Sequence, residues 1–156
     1  MPYVWRVLRR LGVGESDVED VTQEVFIVVL RRLADFEGRS SLRTWIYGIC
    51  IRTASDYRKR AHRRHERATD SPGTDIAVED RSFAAREARA ELDAILSVLD
   101  DDKRAVFVLY EIEQLDMNEV ATAIGCPLQT AYSRLHAARA RVVEEAQRRR
   151  QQGGES

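Results

Sequence analysis

The sequence predicts an all-α protein of two small helical domains joined by a flexible acidic linker, the second domain carrying a helix-turn-helix. Three observations lead there. Apolar residues recur at helical spacing along most of the chain, and no segment alternates as a strand does. Charge is segregated: residues 1–68 hold 14 Lys and Arg against 9 Asp and Glu, residues 69–116 hold 5 against 13, and residues 117–156 hold 6 against 4. The net charge of -1 therefore conceals two basic ends around an acidic middle, a pattern expected when both ends meet a polyanion. Finally, residues 68–80, ATDSPGTDIAVED, combine turn formers with acids and few large apolar groups, so they cannot bury enough surface to offset their ordering. The expected division is a first domain at 1–67, a linker at 68–84, a second domain at 85–148 and a tail at 149–156.

In the first domain the periodicity predicts three helices between Tyr3 and Arg67, interrupted at Gly12-Val13-Gly14 and at Glu37-Gly38-Arg39-Ser40-Ser41. Residues 17–33, DVEDVTQEVFIVVLRRL, are acidic at the start and basic at the end, the order a helix dipole favours. Their apolar positions supply one buried side, which leaves Asp20, Gln23 and Glu24 as an acidic, amide-bearing patch. Such a patch repels nucleic acid and points to a protein partner. Residues 45–67, WIYGICIRTASDYRKRAHRRHER, start with aromatic and aliphatic groups and end with Arg58, Lys59, Arg60, Arg63, Arg64 and Arg67. Cations gather phosphates, and aromatic rings stack on bases taken out of a duplex. The plainer alternatives are a solvated basic face and, for Trp45, a place in the core.

In the second domain Leu92, Ile95, Leu96 and Leu99 form one apolar stripe. Asp100-Asp101-Asp102 then reads as a helix end followed by an N-cap, because aspartate accepts bonds from free amides at a positive helix terminus. Val106, Leu109, Tyr110 and Ile112 form the next stripe. Residues 117–142, MNEVATAIGCPLQTAYSRLHAARARV, predict a short helix capped by Asp116 with Val120, Ala121 and Ile124 inward. Gly125 is its left-handed end, and Pro127 falls in the first turn of a new helix. On that helix Ala131, Leu135 and Ala138 face inward, while Gln129, Tyr132, Ser133, His136 and Arg139 point outward or to the flanks. This layout suits entry of the second helix into a DNA major groove, although a helical hairpin with a solvated polar face has the same pattern.

Several classes are excluded. No run approaches the roughly 18 to 20 apolar residues of a membrane span, and MPYVWRVLRR lacks the features of a signal peptide, so a cytoplasmic protein without membrane insertion is expected. Cys50 and Cys126 form no CxxC pair and are expected to be small buried hydrophobes. His62, His65 and His136 make no ligand-spaced set with carboxylates, and no glycine-rich phosphate loop or activated nucleophile is evident. No enzyme, catalytic residue, metal or cofactor is expected.

Three stretches carry a resemblance. DVEDVTQEVF, then FEGRSSLRTWIYGICIRTASDYRKR, then LDMNEVATAIGCPLQTAYSRLHAARARV resemble successive signatures of the extracytoplasmic-function sigma factors, within the sigma-70 family of bacterial RNA polymerase. They occur in the family's order across nearly the whole chain. The resemblance implies a transcription initiation factor that binds core RNA polymerase and directs it to a subset of promoters. It implies that Asp20, Gln23, Glu24 and Phe26 bind the polymerase. It assigns the minus-ten element to Phe36, Arg39, Trp45, Arg52, Arg58, Lys59, Arg60 and Arg63, with the loop from Phe36 to Thr44 capturing a flipped base. It assigns the minus-thirty-five duplex to Gln129, Thr130, Tyr132, Ser133, Arg134, His136 and Arg139. Core RNA polymerase and promoter DNA are the implied partners, together with an anti-sigma factor. The chain departs from the family at three places. Most relatives have a further helix ahead of the segment matching Tyr3 to Leu11, so the first domain is expected to lack it. Ile51-Arg52 stands where Arg-Asn is frequent, and the recognition helix has Tyr132 and Ala137 where basic residues recur. The alternative function is a stand-alone helix-turn-helix transcriptional regulator, in which the acidic patch and the Trp45 segment are only surface and core.

Overall fold

The computed structural model describes residues 2–67 and 83–154, which form two compact all-helical units. The linker expected at 68–84 lies outside the described residues except for Phe83 and Ala84, which open a helix.

Unit 1 consists of α1 (Pro2–Arg10), α2 (Val18–Arg32), a short 3-10 turn (Leu33–Asp35) and α3 (Leu42–Arg67). The three helices pack on one another through a core of Val4, Val7 and Leu8 from α1, Val18, Val21 and Val25 from α2, and Ile46, Tyr47, Ile49, Cys50, Ala54 and Tyr57 from α3. Both expected interruptions are present. The first turns at Gly12, whose φ of 100° only glycine adopts readily, and closes with a bond from the Val13 amide to the Leu8 carbonyl at 3.0 Å. The second turns at Gly38, φ 74°, and ends where Ser41 accepts a bond from the Thr44 amide at 3.1 Å, satisfying a free donor at the start of α3. Helix α2 has Glu19 and Asp20 in its first turn and Arg31 and Arg32 in its last, as the helix dipole favours.

Unit 2 consists of α4 (Phe83–Leu96), α5 (Asp101–Phe107) continuing into a π-helical turn (Val108–Ile112), α6 (Met117–Ile124) and α7 (Leu128–Gly153). Helix α7 packs against α4, α5 and α6. The expected N-cap is Asp100, which accepts from the Lys103 amide at 2.9 Å. The π turn alters the expected second stripe: Val106, Val108 and Leu109 are buried, whereas Tyr110 and Ile112 are half-buried. A wider turn changes the angular step between side chains, so α-helical spacing misplaces residues beyond it.

Asp116 and Glu119 form a reciprocal capping box at the start of α6, each side chain bonding the other residue's amide. Gly125 ends α6 at φ 79°, and its amide and that of Cys126 both reach the Ala121 carbonyl, at 2.8 and 3.1 Å. Pro127 is the N-cap of α7 rather than a first-turn residue, a displacement of one position with the same cause, its preset φ of -60°. Ile124 is half-buried, and Ala123 takes a buried place instead. Cys50 is fully buried and Cys126 half-buried. Helix α7 runs to Gly153, past residue 148, through a stretch where Glu145 is bonded by Arg148 at 2.6 and 2.9 Å and by Arg149 at 2.9 Å. These pairs, first that with Arg148, pull the Glu145 carboxyl down to about 2. Three- and four-residue spacing puts the partners side by side on a helix.

Candidate protein and nucleic-acid interfaces

In unit 1 the acidic and basic candidates meet. Val18, Val21 and Val25 commit one side of α2 to the core, which turns Asp20 and Gln23 to solvent and leaves Glu24 and Phe26 half-buried. Across from them α3 presents Lys59, Arg60 and Arg63, all exposed. Asp20, Glu24, Arg60 and Arg63 line one groove between the two helices, with Tyr57 at its base. The Tyr57 hydroxyl donates to Asp17 at 2.5 Å, and burial, followed by this bond, raises its pKa above the ordinary tyrosine value. Gly14 leaves room for that hydroxyl, since a Cβ there would lie 3.3 Å from it. At the groove's edge Arg60 donates to Glu24 at 3.1 Å, an ion pair whose members are each about half exposed. Arg52 is exposed two helical turns before Lys59, and Arg58 is half-buried.

The loop between the 3-10 turn and α3 forms a second group. Phe36 and Trp45 pack ring against ring, centroids 5.3 Å apart and tilted by 46°, and both are half-buried. Arg39 is nearly fully exposed and pairs with Glu37 at 2.9 Å, on either side of the Gly38 turn. Behind the loop Arg43 bonds the Tyr47 hydroxyl at 2.9 Å, with its guanidinium 5.4 and 5.5 Å from the rings of Tyr47 and Tyr3. Thus Phe36 and Trp45 are brought together, with Arg39 on the loop that joins them, while Lys59, Arg60 and Arg63 lie further along α3.

In unit 2 the candidates lie along a single helix. Ala131, Leu135 and Ala138 are buried, and Gln129, Tyr132, Ser133, His136 and Arg139 are exposed. Thr130 and Arg134 are half-buried. Two of the arginines reach back to the preceding helical segment. Arg134 lies 3.7 Å from Asp102, and Arg139 donates through Nε to Glu111 while its guanidinium carbon sits 5.5 Å from the centre of the Tyr110 ring. The Glu111 bond is the first cause that raises the Arg139 pKa above its ordinary value.

Sequence reasoning missed some participants. Tyr110, Glu111 and Asp102 touch α7 from far along the chain, and no spacing rule connects residues 28 positions apart. Ile27 and Leu30 in the second half of α2 and Leu33 in the 3-10 turn after it are exposed apolar residues, Leu30 at 75%. A signal existed for these: FIVVLRRL holds more apolar residues than one buried side of a helix can use. Among the described residues no group of His, Cys, Asp and Glu is arranged to hold a metal, and no helix is long and apolar enough to cross a membrane.

Residues 1–64 match the family Sigma-70 region 2, and residues 89–142 match Sigma-70, region 4. The chain is 30% identical over 149 residues to the RNA polymerase sigma-H factor of Pseudomonas aeruginosa, covering 85% of this chain and 74% of the relative. It is 30% identical over 152 residues to the ECF RNA polymerase sigma-E factor of Escherichia coli, covering 86% and 76%. Among solved structures it is similar to CnrH, seen in complex with the cytosolic domain of CnrY, at 26% identity and a TM-score of 0.69 over 92% of this chain and 80% of that one. It shares its fold with the sigma factor RpoE of Bartonella quintana, seen in complex with the anti-sigma factor NepR, at 21% identity and a TM-score of 0.72 over 92% and 89%. With both sigma-70 regions present in order and relatives matched over most of their length, the chain belongs to the extracytoplasmic-function sigma factors: it directs bacterial RNA polymerase to promoters and is not a stand-alone helix-turn-helix regulator.

Proposed function

We propose that unit 1 binds core RNA polymerase and the minus-ten element on adjoining surfaces, and that unit 2 reads the minus-thirty-five element. In unit 1 the polymerase surface comprises Asp20, Gln23, Glu24 and Phe26. The DNA surface comprises Phe36, Arg39 and Trp45 at the loop, with Arg52, Arg58, Lys59, Arg60 and Arg63 along α3. In unit 2 Gln129, Tyr132, Ser133 and His136 read base edges from the first half of α7, flanked by Thr130, Arg134 and Arg139. The observation that carries the reading is the exposed face of α7. A capped turn at Gly125 and a buried row of Ala131, Leu135 and Ala138 hold the helix so that Gln129, Tyr132, Ser133 and His136 stand open.

Two weak DNA contacts held by one polymerase add through effective concentration, so neither unit needs high affinity alone. An anti-sigma partner is part of the proposal. CnrH and RpoE are each seen with a second protein, and RpoE's is an anti-sigma factor. Ile27, Leu30 and Leu33 offer this chain exposed apolar surface of the kind a protein partner covers. The decisive test adds the purified protein to sigma-free core polymerase and measures initiation across genomic fragments. Initiation from a restricted subset supports the reading, and none from any fragment refutes it.

A further inference from the structure

The geometry points to Glu111 and Tyr110 as positioning residues for promoter recognition, holding the Arg139 guanidinium so that its terminal amino groups meet a DNA phosphate. This rests on the reading of α7 as the duplex-facing helix, and it adds two residues that lie before the helix-turn-helix.

Arg139 follows Tyr132 by seven residues, about two turns, and so emerges on nearly the same side of α7 as that exposed ring. Its side chain is 52% exposed, yet it is not free to wander. The Nε group donates to Glu111 Oε1, and the guanidinium carbon sits 5.5 Å from the centre of the Tyr110 ring, with the Tyr110 hydroxyl near enough to take part in hydrogen bonding with it. An arginine fork has five N–H donors in one plane. Committing Nε to a carboxylate, with Tyr110 beside the group, restricts that plane and leaves N–H donors on the terminal nitrogens for an outside acceptor. Phosphate accepts from such a fork through two parallel bonds, and a fork already oriented loses less side-chain entropy when it binds.

The backbone around the two supporting residues is irregular. Tyr110 and Glu111 occupy the π turn, closed by a bond from the Glu113 amide to the Val108 carbonyl at 2.9 Å, and the chain leaves it through Gln114 at φ 58°, a conformation that side chains other than glycine seldom adopt. Single π turns within helices recur at functional sites, where they redirect side chains. Here the turn places an aromatic face and a carboxylate together against one arginine on α7.

The proposal makes a prediction opposite in sign to simple charge counting. An acid beside a DNA-facing helix repels phosphate, so its removal ought to tighten binding. If Glu111 acts by orienting Arg139, its removal loosens binding. The test uses the full chain bound to core polymerase, with a promoter duplex that the wild-type complex selects from genomic fragments. Affinity is measured over a salt series, with unfolding midpoints as a folding check. Glu111→Ala and Arg139→Ala are each expected to weaken binding roughly fivefold and to flatten the salt dependence by about one unit, with no further loss in the double variant. Glu111→Gln retains an acceptor oxygen for Nε and is expected to recover most of the affinity, while Tyr110→Leu costs about twofold by removing the ring and hydroxyl beside the guanidinium. Recovery by glutamine at unchanged unfolding midpoint separates orientation from a merely structural contribution. Tighter or unchanged binding by Glu111→Ala, or losses that add in the double variant, overturns the proposal. Should Gln129→Ala and Tyr132→Ala both leave duplex affinity and preference unchanged, the reading of α7 falls as well, and that outcome is distinct from failure of the Glu111 variants alone.

Discussion

The two units confront their ligands with opposite arrangements of charge. In unit 1 acids and bases assigned to different ligands face one another across a groove, α2 supplying Asp20 and Glu24 and α3 supplying Arg60 and Arg63. In unit 2 the proposed reading residues lie along one helix, and the acids that touch Arg134 and Arg139, Asp102 and Glu111, come from the segment before it. A ligand of unit 1 therefore meets an ion pair that it has to share or open. A ligand of unit 2 meets arginines already held in place. On the proposed assignments, the difference teaches that a surface shared by two partners stores its side chains against each other, whereas a surface for one partner can use its acids as supports.

The largest effect expected is on the framework of unit 2, because the reading helix is held by few large groups. Leu135 lies in the buried row of α7 between Ala131 and Ala138, and Leu135→Ala is expected to destabilise the unit by about 2 to 5 kcal/mol. Chemical denaturation checks this. A loss below 1 kcal/mol would mean that the row is not what holds α7, and the contrast with the broad three-helix core of unit 1 would fade.

Next come the ligand contacts themselves. Reversing Asp20 and Glu24 together to lysine is expected to weaken core polymerase binding by roughly 1 to 3 kcal/mol, provided these acids meet cations in the interface. Unchanged affinity in the folded double variant would remove the acids from that surface. On the other unit, Gln129→Ala or Tyr132→Ala is expected to change the preferred minus-thirty-five sequence, each lost base contact being worth roughly 1 to 3 kcal/mol. Selection from a randomised library on variants bound to core polymerase reads this directly, and recovery of the wild-type preference would make the face of α7 an ordinary solvated one.

Much of this arrangement was legible in the sequence, and the reasons can be traced residue by residue. Local chemistry located Asp116, Gly125 and Asp100, because caps and left-handed turns depend on neighbours within a few positions. The row Ala131, Leu135 and Ala138 followed from a regular helical period. The period failed where the helix itself ceased to be regular, at the π turn that leaves Tyr110 and Ile112 half-buried. Pairings across helices were out of reach for a different reason. Glu24 with Arg60 and Glu111 with Arg139 are set by how helices pack, and neither pair lies within the span that periodicity addresses. The basic end of α3 was legible as charge, but that one of its arginines is already engaged by the acidic patch was not.

That engagement leads to the smallest expected effect. Glu24 and Arg60 are 3.1 Å apart with about half of each side chain in water, so their mutual contribution to stability is expected to be only about 0.2 to 1 kcal/mol and to decline with added salt. A double-mutant cycle of Glu24→Gln and Arg60→Gln measures it. The same cycle can be read out on binding of single-stranded minus-ten DNA, first with the free protein and then with the protein bound to core polymerase. In the free protein Glu24 competes with phosphate for Arg60, so Glu24→Gln is expected to tighten DNA binding slightly, and only while Arg60 is present. Once core polymerase takes up Glu24, that competition ends and the coupling is expected to vanish. Coupling that persists in the complex would mean that the polymerase leaves Glu24 alone. The acids of unit 1 would then be supports like Glu111, and the contrast between the two units would collapse into a single arrangement used twice.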